Sequence, residues 1–175
     1  MADRQPSLLC GSGRRCSVKF QPSDRSVARP NGASQNGWPA SPSGSAIDII
    51  TTTVGLQRGN KTFQATRSIA PALKAMVEWW DQEIEPVTTL GSYNYRAVRG
   101  HNSVISNHGS GTAVDINAAR HPLGAAGTVS AVQHARITAK AASLGLKWGG
   151  NYRNRKDEMH FEALTPSQFS LARGA

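Results

Sequence analysis

The clearest periodic pattern in the chain lies between residues 70 and 83, where apolar residues recur along one helical face. They follow one another at spacings of three, one, three and four, as Leu73, Met76, Val77, Trp80 and Ile84. Pro71 suits the first turn of a helix, and Pro86 stops it. The spacing predicts a helix over about 70–83 that buries Trp80 and leaves Trp79 partly exposed.

Short β-branched segments predict strands before and after this helix. Residues 46–56 (AIDIITTTVGL) are typical of a strand or an extended edge, and residues 88–96 (TTLGSYNYR) predict a strand with both tyrosines on one face. Residues 111–118 (GTAVDINA) alternate, so we expect Val114 and Ile116 to face the core. The outward positions of that strand are then Ala113, Asp115 and Asn117.

A second helix is predicted over about 129–144, capped by Thr128 and closed by a left-handed Gly145. The stretch GLKWGGNYRNRKDEMHFEAL after it indicates a strand, a Gly-Gly turn, a basic loop and a final strand. We expect Trp148 and Phe161 to lie in the core. This order of elements predicts an α+β fold with one small antiparallel sheet flanked by helices.

The two ends of the chain differ in composition from its middle. Residues 1–35 are rich in Ser, Pro, Gly and Arg without any period, which predicts a flexible basic tail. A folded domain is expected over 36–165, with Trp38 as the first point that docks on it, and a short tail over 166–175. Cys10 and Cys16 lie in the first tail and are read as free thiols, with a mutual disulfide as the alternative.

Composition excludes several classes of protein. The 175 residues suit one ordinary domain, and no window approaches the roughly 18 uninterrupted apolar residues that cross a bilayer. The start of the chain has no apolar segment typical of a signal peptide. The net charge of +9 points to a polyanionic partner: nucleic acid, anionic lipid or bacterial cell wall.

Three residues suggest chemistry when they are taken together: His108, Asp115 and His160. Zinc in a hydrolytic site takes three nitrogen or oxygen ligands at roughly 2.0–2.2 Å and keeps an open position. Gly109 and Gly111 would let the loop fold back, so that a histidine and a carboxylate seven residues apart reach one ion. His101, His121 and His134 have no matching partner, and we expect them to be exposed.

These residues carry a resemblance to a known family. The pattern SxHxxGxAxD over 106–115, followed by Trp148-Gly149-Gly150 and by Asp157-x-x-His160, resembles the zinc D-alanyl-D-alanine carboxypeptidase and L-alanyl-D-glutamate peptidase family, VanY/VanX-like. It is most similar to bacteriophage endolysin peptidase domains. The likeness spans about 36–165 and implies a hedgehog/DD-peptidase-like fold with one zinc ion held by His108, Asp115 and His160.

The resemblance also implies roles for the residues around the ion. Asp157 matches the general base that moves a proton from the attacking water to the leaving amine, with Glu158 as the alternative. Because strand alternation would separate Asp157 from His160, the chain must turn between them. Arg96 matches the arginine that holds the scissile carbonyl oxygen, a role that Arg99 could exchange with it.

Three further positions are candidates around this centre. Ser106 matches a substrate-binding serine, although a turn-stabilising role is equally open, and Tyr152 would line the cleft. Glu162 could share a strand face with His160 and orient its imidazole.

The function implied is hydrolysis of a peptidoglycan stem-peptide bond. An L-alanyl-D-glutamate endopeptidase is preferred, and a D-alanyl-D-alanine carboxypeptidase is the alternative. We expect a monomer made in a host cytoplasm and acting on the bacterial wall, with no membrane and no specific nucleic-acid partner. One remote alternative is a nucleic-acid-binding protein whose basic arm would bind phosphates through Arg14, Arg15, Lys19, Arg25 and Arg29. Another is a wall-binding module that has kept the fold and lost activity.

Overall fold

The described residues form an α+β fold with two small antiparallel sheets and three α-helices, which confirms the predicted fold class. The computed structural model describes residues 32–101 and 103–174. The predictions for Cys10, Cys16 and the basic arm therefore lie outside the described residues. Among the residues described, no helix is both long and apolar enough to cross a membrane.

The first sheet is a two-stranded antiparallel pair. Strand β1 (Ile49–Val54) pairs with β2 (Lys61–Thr66), with Ile49 opposite Thr66. Strand β1 confirms the predicted extended segment. Strand β2 was not predicted, because it is short and has only two buried apolar residues, Phe63 and Ala65, to mark a pattern. The prediction of a single sheet is therefore wrong.

The second sheet has four antiparallel strands in the order β3-β4-β6-β5. These are β3 (Leu90–Gly91), β4 (Ala113–Ile116), β5 (Leu146–Trp148) and β6 (His160–Ala163). Strands β4 and β6 are neighbours at the centre, and their register sets Asp115 directly opposite His160. Two residues separated by 45 positions thus share one face of the sheet.

The helices cover the core as predicted, with small shifts at their ends. Helix α1 runs Ala70–Glu83, and Trp80 is fully buried while Trp79 is half-buried. Helix α2 runs Ala131–Ser143 and is followed by Gly145 with a φ of 70°. Trp80 packs edge-on against Phe161 with ring centroids 5.6 Å apart.

The predicted cap of α2 is wrong by two residues. Ser130 is the N-cap: its hydroxyl accepts from the Gln133 amide at 3.2 Å, and the Gln133 side chain accepts from the Ser130 amide at 2.9 Å. Such a capping box satisfies two amides that would otherwise lack partners. Thr128 instead donates its hydroxyl to Glu158.

The strand predicted over 88–96 is reduced to β3. Beyond Gly91 the chain leaves the sheet, because Tyr93 and Asn94 donate their amides to Gln64 and to His108 at 3.1 Å each. This detour brings the segment against the loop that carries His108.

Two of the outward positions predicted for β4 are buried. Ala113 shares its face with the buried Glu162 rather than with solvent. Asn117 lies just past the strand with a φ of 49°, and its side-chain oxygen accepts from the Thr88 amide at 2.7 Å. Val114 and Ile116 are fully buried in the core, as predicted.

Both ends of the described chain pack onto the body. The Trp38 indole donates to the Leu164 carbonyl at 2.8 Å, which confirms its predicted docking. Residues 166–175, predicted as a short tail, contain helix α3 (Pro166–Ala172), whose Phe169 ring is buried and lies edge-on to Trp38. The boundary at 35/36 stays a prediction.

Candidate metal centre

The three residues proposed as ligands converge in the structure. Asp115 on β4 and His160 on β6 are register partners, and His108 lies in a short 3-10 helix, Asn107–Ser110, just before β4. His160 Nδ1 is 2.7 Å from Asp115 Oδ1, and His108 Nε2 is 3.2 Å from Asp115 Oδ2. One ligand atom from each residue lies within 4.8 Å of the other two.

This donor set fits a divalent metal ion. Tetrahedral ligands at about 2.0–2.1 Å from zinc lie roughly 3.3 Å from one another. The His108–Asp115 distance of 3.2 Å is close to this value, and the His160–Asp115 distance of 2.7 Å is somewhat shorter. The two imidazoles are buried and the carboxylate is nearly so. The group could therefore hold a metal ion.

The loop that carries His108 is fixed from both sides. Ser106 caps the 3-10 helix by accepting from the His108 amide at 3.4 Å, so the structure shows its turn-stabilising role, and Ser106 also lines the cleft. Gly111 follows with a φ of 65°, and a Cβ there would lie 2.2 Å from Ile49 Cδ1. His108 Nδ1 is 2.9 Å from the Ser92 carbonyl, which leaves Nε2 facing Asp115.

The imidazole of His160 is oriented by Glu162. His160 Nε2 lies 3.3 Å from Glu162 Oε2, as the sequence suggested, so Nδ1 is the nitrogen that faces Asp115. Glu162 also accepts from the Asn107 side chain and pairs with Lys147 at 3.3 Å. Burial alone would lower the pKa of His160, but hydrogen bonds and charge from Asp115 and Glu162 raise this pKa to about 10.

Replacing Glu162 by glutamine is expected to weaken zinc binding by about 10- to 100-fold, because an outer carboxylate fixes the histidine and increases its basicity. Competition with a zinc-binding dye measures the affinity directly. Unchanged affinity in this variant would contradict the assigned role. Asp48→Asn is a matched control, since its carboxylate pairs only with the exposed Arg67 on the surface.

Asp157 reaches the same site through a tight turn. The His160 amide donates to the Asp157 carbonyl at 3.1 Å, which is the turn that the sequence required between these residues. Asp157 lines the cleft, and its Oδ1 is buried without a hydrogen-bond partner in the part of the chain that the structure describes. Burial is the largest influence and raises the pKa of Asp157 above its usual value.

Glu158, the alternative base, is directed away from the cleft. Its two oxygens accept from the Gly127 and Thr128 amides at 2.8 Å each. Burial alone would raise the pKa of Glu158, but these hydrogen bonds hold it below its usual value. The contacts indicate that Glu158 anchors the loop before α2.

Gly149 provides the space that the Asp157 turn needs. A Cβ at this position would lie 2.4 Å from the Asp157 carbonyl oxygen and 2.9 Å from its Cβ. Gly149→Ala is therefore expected to displace Asp157, lower the melting temperature and reduce turnover. Thermal unfolding and hydrolysis measured together test this; a variant with unchanged stability and activity would show that the turn tolerates the added methyl group.

The ligands and Asp157 line a cleft of about 430 Å³. Arg96, Arg99 and Tyr152 also line it, so the structure brings every predicted site residue to one cavity. The Tyr152 ring centroid lies 6.4 Å from that of His160, and burial together with Glu162 raises the pKa of the tyrosine. Both arginines line the cleft, so either of them is placed to contact the scissile carbonyl oxygen.

Sequence reasoning misjudged some residues around this centre. His121 is buried rather than exposed, since its ring nitrogens contact Glu85 at 3.0 Å and Thr128 at 2.7 Å. His101 is exposed as predicted, whereas His134 is half-buried against Trp148. The contact of the Ser92 carbonyl with the His108 imidazole and the contact of Asn107 with Glu162 were not predicted. Of these two residues, only Asn107 could have been found from the sequence, because it lies inside the SxHxxGxAxD motif.

Comparison with known proteins gives one match. Residues 99–163 match a family model described as D-alanyl-D-alanine carboxypeptidase, and this segment includes all three candidate ligands and Asp157. No curated protein and no solved structure matches the chain. The matched segment is less than half of the chain, and it is this segment that is similar to the D-alanyl-D-alanine carboxypeptidase family of peptidases.

Proposed function

We propose that the protein is a zinc-dependent peptidoglycan peptidase that cleaves a stem-peptide bond, with L-alanyl-D-glutamate as the preferred bond. The observation that carries this proposal is the convergence of His108, Asp115 and His160 in the cleft that Asp157 also lines, where the buried Asp157 Oδ1 has no hydrogen-bond partner among the described residues. The match of this segment to a peptidase family supports it. Ion pairing among the three ligand residues would not require a second carboxylate whose Oδ1 is buried without a hydrogen-bond partner among the described residues.

His108 Nε2, His160 Nδ1 and a carboxylate oxygen of Asp115 would hold the zinc ion. When bound, such an ion polarises a carbonyl group and lowers the pKa of a water molecule. Asp157 accepts the proton of the attacking water and returns it to the leaving amine, a role that its raised pKa suits. Arg96 or Arg99 stabilises the negative charge that develops on the scissile carbonyl oxygen.

The nature of the bond is the finer part of the proposal. The family description favours the D-alanyl-D-alanine carboxypeptidase alternative, whereas the motif resemblance to endolysin peptidases favours the endopeptidase. The net charge of +9 supports action at an anionic cell wall. On this proposal the protein is made in a host cytoplasm and acts on the wall as a monomer.

Digestion of purified peptidoglycan followed by mass analysis of the fragments tests the proposal. The endopeptidase is expected to release stem peptides that begin with D-glutamate, and the carboxypeptidase only free D-alanine. Intact peptidoglycan after incubation with the zinc-loaded protein would contradict both and would favour a binding module without activity.

A further inference from the structure

Three arginines line the cleft, and among the described residues none of them has an acidic partner. Arg96, Arg99 and Arg155 are exposed and form neither an ion pair nor a side-chain hydrogen bond there. Of the other described arginines, three form ion pairs (Arg67 with Asp48, Arg120 with Glu85 and Arg136 with Glu83), and three form none among the described residues (Arg58, Arg153 and Arg173). Unpaired guanidinium groups around a cavity indicate that the cavity receives an anionic ligand.

The acidic groups of the cleft are already engaged. The two oxygens of Asp115 face the two imidazoles, and Glu162 contacts His160 and Lys147. Asp157 is the proposed base. In the described part of the chain, no carboxylate of the cleft is paired with the arginines. Their positive charges are therefore available to bind the substrate.

Arg155 differs from the other two in its position. It lies two residues before Asp157 in the same loop, and its Nε is 3.5 Å from the point that a Cβ on Gly124 would occupy. Arg155 and Asp157 both line the cleft, so the cation and the proposed base lie around the same cavity. Arg153, in the same loop, does not line the cleft.

We propose that Arg155 binds the free carboxylate of the substrate residue that supplies the leaving amine. The inference rests on the proposed function: Asp157 returns its proton to the leaving nitrogen, so a cation beside Asp157 lies on that side of the scissile bond. D-Glutamate keeps one carboxyl group that does not continue the chain, and a terminal D-alanine keeps its own. Both candidate substrates thus present a carboxylate a few bonds from the leaving nitrogen.

This contact makes the enzyme selective for an acid over its amide. A guanidinium binds a carboxylate through two parallel charge-assisted hydrogen bonds, whereas an amide of nearly the same shape carries no charge. Amidation of this one carboxyl group would therefore protect a stem peptide from cleavage. Selectivity at this position depends on Arg155 rather than on the metal ligands.

Steady-state hydrolysis of two synthetic stem peptides tests the assignment. They differ only in whether the carboxyl group next to the leaving nitrogen is free or amidated. The zinc-loaded wild-type enzyme is expected to show a KM for the acid about 10-fold or more below that for the amide, the effect of a hydrogen-bonded charge pair. Arg155→Gln is expected to raise the KM for the acid to that for the amide with kcat nearly unchanged, and Arg155→Lys to restore part of the difference.

Arg153→Gln is the matched control, since it removes the same charge from the same loop outside the cleft, and its acid preference should equal that of the wild type. Equal wild-type KM values for acid and amide would overturn the inference, as would an Arg155→Gln variant that keeps the preference. Either result leaves the proposed function in place. A wild-type enzyme that cleaves neither peptide nor whole peptidoglycan would overturn the proposed function and this inference with it.

Discussion

His160→Ala is expected to abolish stoichiometric zinc binding and, with it, peptide hydrolysis. The substitution removes one of three ligand atoms that lie within 4.8 Å of one another, and it leaves the carboxylates of Asp115 and Glu162 facing an empty space. Two protein ligands bind zinc far more weakly than three. Metal content after dialysis and the rate of peptide cleavage measure the two effects on one sample.

His101→Ala is the control for this prediction, because His101 is exposed and outside the cleft. It should retain one zinc ion per chain and full activity. If the His160 variant keeps one tightly bound ion, or cleaves peptides at the wild-type rate, the proposed ligand set is incorrect.

Asp157→Asn separates metal binding from proton transfer. The amide has nearly the same shape as the carboxylate but cannot accept a proton, so zinc should remain bound while kcat falls by about 100- to 10,000-fold. Because the Asp157 Oδ1 has no hydrogen-bond partner to lose among residues 32–101 and 103–174, the fold should be little affected. Zinc content, thermal unfolding and turnover together distinguish loss of the base from loss of the site.

Glu158→Gln serves as the comparison for the neighbouring acid. Its carboxylate accepts the amides of the loop before α2, so the substitution should lower stability by about 1–3 kcal/mol while the base remains in place. Full turnover in Asp157→Asn with loss of turnover in Glu158→Gln would assign the base to Glu158 instead.

The parts of the fold that were predictable have strong local patterns. Helix α1 matches its predicted range because the spacing of its apolar residues and its two prolines act together. Strand β4 was predicted from the alternation around Asp115. The short spacing between His108 and Asp115 indicated two of the three proposed ligands. His160 was placed by the family motif, and the structure adds the β4–β6 register that brings it opposite Asp115.

The remaining features depend on contacts between distant residues. Strand β2 is held by pairing with β1, and residues 92–96 follow the His108 loop instead of the sheet. His121 is buried because Glu85, 36 residues away, and Thr128 supply its partners. Similarly, the Phe169 ring of α3 packs edge-on against Trp38, which lies near the other end of the described chain. The local sequence does not indicate which distant residues will be in contact, because these contacts form only through tertiary packing.

Zinc-edge anomalous diffraction from crystals of the zinc-loaded protein tests the metal centre most directly. A single strong peak is expected at about 2.0–2.2 Å from His108 Nε2, His160 Nδ1 and an Asp115 oxygen. A peak bound elsewhere, or no peak at these three side chains in fully loaded crystals, would contradict the account.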